Sequence, residues 1–104
     1  MVLANYVKLE TGKEKVLRFR PDSARIEVRL ITDPVTKKTK RVRALVIDVI
    51  EEDGLPVEKV FSTLSEKLAE TLWTAHQTGD LYRFRVGITP VGEGYAREYK
   101  VRFF

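Results

Sequence analysis

Residues 60–72, VFSTLSEKLAETL, decide the fold because the spacing of their apolar residues changes within the segment. Residues 56–62 read as a short strand, and from Thr63 onward apolar residues recur every three or four positions. Thr63 and Glu66 fit a capping box, and the predicted helix ends near Gly79. Its apolar stripe consists of Leu64, Leu68, Leu72 and Ala75. The sequence therefore predicts a strand that passes directly into a helix.

Further strands are predicted before this segment. Residues 15–20 and 25–32 alternate apolar and charged side chains, and the PDSA sequence between them bends or bulges what we expect to be one long first strand. Its apolar side chains are Leu17, Phe19, Ile26, Val28 and Leu30. Residues 41–50 are rich in β-branched residues and form the predicted second strand. Asp53 and Gly54 are a hairpin signal that leads into the third strand at 56–62.

Two strands are predicted after the helix. Residues 81–89 alternate, with Tyr82, Phe84, Val86 and Ile88 pointing one way and Arg83 and Arg85 the other. PVGEG at 90–94 turns the chain. Residues 95–104 alternate again, with Tyr99, Val101 and Phe103 opposed to Glu98, Lys100 and Arg102. The predicted order is three strands, a helix and two strands.

This order is that of the OB fold, a five-stranded Greek-key barrel that binds oligonucleotides or oligosaccharides. With the phrases VKLETGKEKVLRF and VFSTLSEKLAETL, the chain resembles small OB-fold single-stranded nucleic-acid-binding proteins of archaea and viruses over residues 14–104. The resemblance implies an all-β barrel with one helix between strands three and four. We expect one domain over residues 1–104, with residues 1–13 packing on the barrel.

Composition excludes several classes of protein. Of the 104 residues, 43% are hydrophobic and 33% charged, which is typical of a globular chain rather than a disordered one. The absence of cysteine excludes disulfides, thiolate metal sites and thiol nucleophiles. No apolar run is long enough to span a membrane, and MVLANYVKLE has neither a basic leader nor a cleavage site, so we expect a soluble, cytoplasmic protein. Scarce amides and abundant Glu, Lys and Arg favour a thermophilic source.

The positive charge is concentrated in one segment. The net charge is +4, and the clustered bases are Lys37, Lys38, Lys40, Arg41 and Arg43. The resemblance implies a ligand across strands two and three, flanked by the loops at 33–40 and 90–94. The cluster would then contact phosphates at one rim of the groove, and the alternative is a solvated hairpin tip. Alternation puts Arg41 and Arg43 on one side of the sheet, and Asp48 suggests that this is the side of Leu45 unless a bulge intervenes.

Aromatic residues near bases are candidates for stacking on nucleotides. They are Phe61 beside Lys59 on strand three, and Tyr95 and Tyr99 around Arg97 on strand five. The alternative is that these rings fill the barrel, as inward aromatics do in small barrels. Arg83 and Arg85 on strand four are second-rank contacts, with pairing to Glu98 as the alternative.

Trp73 is predicted to lie outside the apolar stripe, about 180° around the helix from Leu64 at 100° per residue. Either residues 2–7 fold over the indole, or Trp73 is a candidate contact for a second copy of the chain or another protein partner.

Little in the sequence favours catalysis. His76 is the sole histidine and lies at a helix end, where it acts as a cation, and Glu51, Glu52 and Asp53 lack calcium-loop spacing. Pro21 and Asp22 followed by Glu27-Val28-Arg29 resemble a nuclease arrangement from which the lysine is missing. We expect a non-enzymatic protein without a metal or organic cofactor that binds single-stranded DNA or RNA with little sequence preference. The alternative is a protein–protein interaction module on an OB scaffold.

Overall fold

The structure is a computed structural model and describes residues 5–92 and 98–104. The chain is mostly β, with two helices inserted before the last two strands. The elements are β1 (Lys15–Phe19), β2 (Arg25–Thr32), β3 (Thr39–Glu52), β4 (Leu55–Thr63), α1 (Glu66–Thr78), α2 (Asp80–Arg83), β5 (Val86–Val91) and β6 (Glu98–Phe103). Among the described residues, neither helix has the length and apolar character needed to cross a membrane.

The long strand β3 organises a six-stranded antiparallel sheet. Along one edge it pairs with β2 over residues 39–46 and then with β1 over residues 49–52. Along the other edge it pairs with β4, and β5 and β6 extend the sheet beyond β1. Within the described residues the sheet is not closed into a barrel, because no ladder joins β6 to β4 or β2.

The expected single first strand is two strands. Asp22 adopts a left-handed conformation with φ of 58° at the turn between them. The Ser23 hydroxyl donates to the carbonyl of Arg20 at 2.7 Å and accepts from the backbone nitrogen of Asp48 at 3.1 Å. The Asp48 carboxylate also pairs with Arg20, and with Arg25 at 3.2 Å. The turn is therefore fixed to β3 by both backbone and side-chain contacts.

Helix α1 packs the predicted stripe against the sheet. Leu68, Leu72 and Ala75 are buried in the same cluster as Phe19 and Phe61. Leu64 precedes the helix and is 51% exposed, so its place in the predicted stripe was wrong.

The predicted capping residue was also wrong. The side chain of Ser65 accepts a hydrogen bond from the backbone nitrogen of Leu68 at 3.3 Å, while Thr63 accepts one from the nitrogen of Ser65. Gly79 ends α1 with φ of 85°, as the sequence predicted.

Residues 80–83 form a second helical turn instead of the start of a strand. The Phe84 nitrogen donates to the carbonyl of Asp80 at 3.2 Å, and Leu81 is fully buried beneath the turn. Strand β5 consequently begins at Val86. The prediction that Arg83 and Arg85 share one face of a strand is therefore wrong.

The described part of the N-terminal segment lies along β4. The Val7 nitrogen donates to the carbonyl of Val60 at 2.9 Å, and the Val60 nitrogen donates to the carbonyl of Asn5 at 2.8 Å. This parallel bridge covers part of the edge of β4 that faces away from β3.

Candidate nucleic-acid interface

The distal half of the β2–β3 hairpin, residues 27–44, forms a two-stranded ribbon. Residues 39–44 of β3 pair with β2 alone, because the ladder to β4 begins only at Leu45. Every residue from Ile31 to Arg41 is exposed. The two strands of the hairpin, residues 25–32 and 39–46, form eight consecutive cross-strand pairs without a register shift.

A hydrogen-bonded turn closes the ribbon. The Asp33 carboxylate accepts from the backbone nitrogens of Val35 and Thr36, at 2.7 and 3.1 Å. These two hydrogen bonds lower the pKa of Asp33, since they stabilise its charged form. Lys37 follows in the left-handed conformation with φ of 58°. The turn thus presents Lys37 and Lys38 to solvent on a defined backbone.

The ribbon carries the uncompensated charge of the chain. Residues 33–43 hold five of the 19 bases and one of the 15 acids, so fourteen of each remain elsewhere. Among the described residues, none of these five bases has a carboxylate partner, whereas most other arginines are in ion pairs. The five bases are Lys37, Lys38, Lys40, Arg41 and Arg43. The net charge of +4 is therefore the charge of this segment.

The register assigns the ribbon's side chains to two faces. Leu30 is opposite Arg41 and Val28 is opposite Arg43, so these four side chains share one face. This face continues into the core at Leu45, which resolves the parity in the sense the sequence indicated. Because side chains alternate along a strand, Lys40 lies on the opposite face.

Both faces of β3 are covered over residues 44–47, directly beyond the ribbon. Leu45 and Ile47 are in the core cluster, while Ala44 and Val46 on the other face are equally buried, with exposures of 0% and 1%. Asp48, on the same face of the strand, suggested from the sequence that Ala44 and Val46 face outward, and their burial shows that this expectation is wrong. In the described structure, the exposed base-bearing surface is the ribbon and does not extend along the rest of β3.

An apolar surface accompanies the ribbon's two arginines. Ile26, Val28 and Leu30 are 51%, 62% and 67% exposed. The sequence missed this feature, since alternation predicted these residues to be inward-facing. Alternation alone gave no signal for this exposure, because it does not show whether another layer packs on the apolar face.

The predicted stacking residues divide into three cases. Phe61 is 1% exposed and its ring centre lies 6.0 Å from that of Phe19, so no base can stack on it in this structure. Tyr99 is half-buried and packs against the core cluster. Tyr95 and Arg97 lie outside the described residues, as does the glutamate of the PVGEG loop.

The remaining predicted bases are engaged with acids. Nζ of Lys59 lies 2.9 Å from Oε1 of Glu52, and Nη2 of Arg85 lies 4.0 Å from Oε1 of Glu51. Arg83 is on α2, 3.9 Å from Asp80. These contacts compensate their charges and place them away from the ribbon, so the predicted basic track along the sheet is not assembled among the described residues.

Trp73 is half-buried and packs against the core cluster, which corrects the expectation that the apolar stripe leaves it uncovered. Its ring centre lies 4.8 Å from that of His76. The described residues nearest the N-terminus pair with Val60 on β4, as described above. The role of Trp73 as a protein contact stays a prediction.

Comparison with protein family models, curated protein sequences and solved structures gave no match to this chain. Among the described residues, no three histidine or acidic side chains are grouped to hold a metal ion. The ribbon offers exposed cations. On one of its faces an apolar strip, made of Ile26, Val28 and Leu30, lies beside the guanidinium groups of Arg41 and Arg43 and is open to solvent. Such a surface is chemically suited to a flexible polyanion with apolar faces.

Proposed function

We propose that this protein is a non-enzymatic, sequence-tolerant binder of single-stranded DNA, and that the β2–β3 ribbon is its binding element. The single observation that carries the proposal is the concentration of the chain's whole net charge in five exposed bases without carboxylate partners among the described residues. Single strands suit such a surface because their phosphates and base faces are accessible together.

The ribbon supports two kinds of contact. Lys37, Lys38 and Lys40 are point charges at the tip and are suited to phosphates. Arg41 and Arg43 lie beside Leu30 and Val28, so bases can lie on the apolar strip with a guanidinium plane against them. Base contact of this kind carries no hydrogen-bond code, which is why we propose little sequence preference.

We further propose that the fold is an open relative of the OB barrel. Strands β1 and β2 correspond to its bent first strand, β3 and β4 to strands two and three, and β5 and β6 to strands four and five. The order of elements and the helix between β4 and β5 support this assignment. On this basis the ribbon is the loop between strands one and two of the barrel.

Fluorescence anisotropy tests the proposal with matched single-stranded DNA, single-stranded RNA and duplex DNA at two salt concentrations. If about five phosphates are contacted, the logarithm of affinity falls with the logarithm of salt with a slope of about −3.5, from about 0.7 per phosphate. Duplex binding that equals or exceeds single-strand binding contradicts the proposal. Tighter binding of RNA than of DNA assigns the ribbon to RNA.

A further inference from the structure

The outer edge of β2 has no partner among the described residues. β2 is the terminal strand of its sheet and pairs only with β3. Over residues 25–32 it contains no proline and no bulge, two of the devices that prevent edge strands from pairing, and its charged side chains include both signs. Its apolar side chains Ile26, Val28 and Leu30 are each more than half exposed. These properties are those of a strand that adds to another strand.

The ladder determines which backbone groups this edge presents. The Asp33 nitrogen donates to the carbonyl of Lys38 at 3.0 Å, across the hairpin and one position beyond the last pair of the β2–β3 ladder. In antiparallel strands the groups that face one neighbour recur at every second residue. Odd-numbered residues of β2 therefore face β3, and Ile26, Val28 and Leu30 present their N–H and C=O groups outward.

We propose that two copies of this chain pair antiparallel through β2, with the two-fold axis at Val28. Val28 then lies opposite Val28 of the second copy, and Ile26 opposite Leu30. All three positions have outward backbone groups, so each forms a hydrogen-bonded pair with its counterpart. The pairs join apolar side chains on one face of the combined sheet.

The charges on the other face select this register. With the axis at Val28, Glu27 of each copy lies opposite Arg29 of the other, which gives two opposite-charge pairs across the axis. An axis at Glu27 or at Arg29 places like charges opposite each other, and an axis at Leu30 places Glu27 opposite Asp33. Like charges directly opposite on neighbouring strands are destabilising.

An axis at Ile26 is also disfavoured, because it leaves only residues 25–27 of β2 to pair. The next outward group, the Ala24 nitrogen, already donates to the hydroxyl of Tyr82 at 3.2 Å. The Val28 register is thus the one that pairs residues 25–31, nearly the whole strand, without a charge conflict. It needs no nucleic acid and does not depend on the proposed function.

Sedimentation velocity over a range of protein concentrations, without nucleic acid and at low salt, measures the dimer directly. We expect the mass to rise from that of one chain to that of two. Glu27→Lys places Lys opposite Arg29, and Arg29→Glu places Glu opposite Glu27, so each variant alone is expected to be monomeric. Mixing the two variants restores both opposite-charge pairs, and we expect the equimolar mixture to form a one-to-one dimer.

Disulfide trapping tests the position of the axis. The chain has no cysteine, so Val28→Cys introduces a single thiol. Hydrogen-bonded antiparallel pairs have Cα atoms about 5.5 Å apart, within the range that a disulfide spans. Leu30→Cys is the matched control, since Leu30 is similarly exposed on the same face but is four positions from its own counterpart across the axis. We expect covalent dimers of Val28→Cys and at least tenfold slower cross-linking of Leu30→Cys.

Three results overturn the proposal. They are a wild-type protein that stays monomeric at every concentration, charge variants that fail to associate when mixed while circular dichroism shows both folded, and equal cross-linking of the two cysteine variants. The first result leaves the β2 edge to a different partner. None of them bears on whether the ribbon of a single chain binds single-stranded DNA, which the anisotropy measurement decides separately.

Discussion

The hydroxyl oxygen of Tyr82 lies 2.5 Å from Nδ1 of His76 and accepts a hydrogen bond from the backbone nitrogen of Ala24. One phenol thereby links the last turn of α1, the short helix α2 and the start of β2. Burial raises the pKa of Tyr82, because desolvation disfavours the charged phenolate. The bend that directs the ribbon is consequently held from the side of the helices as well as by Asp48.

Tyr82→Phe is expected to destabilise the protein by about 1 kcal/mol, because two hydrogen-bonding groups lose a half-buried partner. The measurement is urea unfolding followed by the fluorescence of Trp73, the single tryptophan. Since the ring of His76 is in contact with Trp73, we also expect a change in the folded-state emission. Tyr99→Phe is the control, and an equal loss in both variants would contradict a specific role for the Tyr82 hydroxyl.

The turn at Asp53 provides a prediction for pH. The backbone nitrogen of Val16 donates to its carboxylate at 3.0 Å and lowers its pKa, with Lys15 as a further cause. A lowered pKa in the folded state adds stability above the unfolded value of about 4, and this stability is lost as the pH falls through the folded value. We expect the free energy of unfolding of Asp53→Asn to change less between pH 7 and pH 3 than that of the wild type. An unchanged difference in urea midpoints would contradict the assignment.

Asp53→Ala separates the hydrogen bond from the charge. Asn retains an oxygen acceptor and tolerates the φ of 50° found at this position, whereas Ala does neither. We expect Asp53→Ala to cost about 1 kcal/mol at neutral pH, more than Asp53→Asn. Unfolding by urea at pH 7 compares the two, and equal losses would show that the ion pair with Lys15, which both variants remove, is the stronger contribution.

The three lysines at the ribbon tip are expected to supply nonspecific electrostatic affinity. Changing Lys37, Lys38 and Lys40 together to Glu is expected to weaken the binding of all single-stranded oligonucleotides alike. The slope of the logarithm of affinity against the logarithm of salt is expected to become shallower by about 2, from about 0.7 per phosphate. Stability is expected to shift by less than about 0.5 kcal/mol, because all three side chains are exposed. Anisotropy titrations at several salt concentrations measure both quantities.

A charge-matched control distinguishes location from net charge. Lys8, Lys67 and Lys100 are exposed, lie outside the ribbon and have no carboxylate partner among the described residues, so changing them to Glu alters the net charge by the same amount. This control is expected to retain most of the affinity and slope. If both triple variants lose affinity equally, the ribbon is not the binding element and the hairpin tip is simply solvated.

Arg41 and Arg43 are expected to contribute beyond their charge. Changing both to Lys keeps the charge and removes the planar guanidinium groups beside Leu30 and Val28. Stacking of a cation on a ring contributes about 0.5–1 kcal/mol at exposed sites, so we expect a loss of about two- to fivefold in affinity per arginine with an unchanged salt slope. The same anisotropy assay reports both, and an unaltered affinity would restrict the two arginines to phosphate contact.

Several features of this protein were determined by the sequence itself, because each depends on local geometry. Asp53 and Gly54 both adopt positive φ in the hairpin between β3 and β4, and Gly79 adopts it at the end of α1. The alternation of β6 also holds, with Tyr99, Val101 and Phe103 more buried than their neighbours. Backbone conformation at a turn and the two faces of a strand are properties of adjacent residues, so they can be read without knowing the rest of the fold.

The tertiary structure alone decided what those faces meet. Alternation identified Leu17 and Val28 equally as apolar strand residues, yet Leu17 is 1% exposed and Val28 is 62% exposed. Leu17 lies on β1, which has β3 and β5 on its two sides, whereas Val28 lies on an edge strand that pairs with β3 alone. Likewise, the bases of the ribbon differ from Lys59 or Arg85 because folding brought none of the described acids beside them. Burial and charge compensation depend on residues distant in the chain, so their pattern is fixed only when the strands are in register.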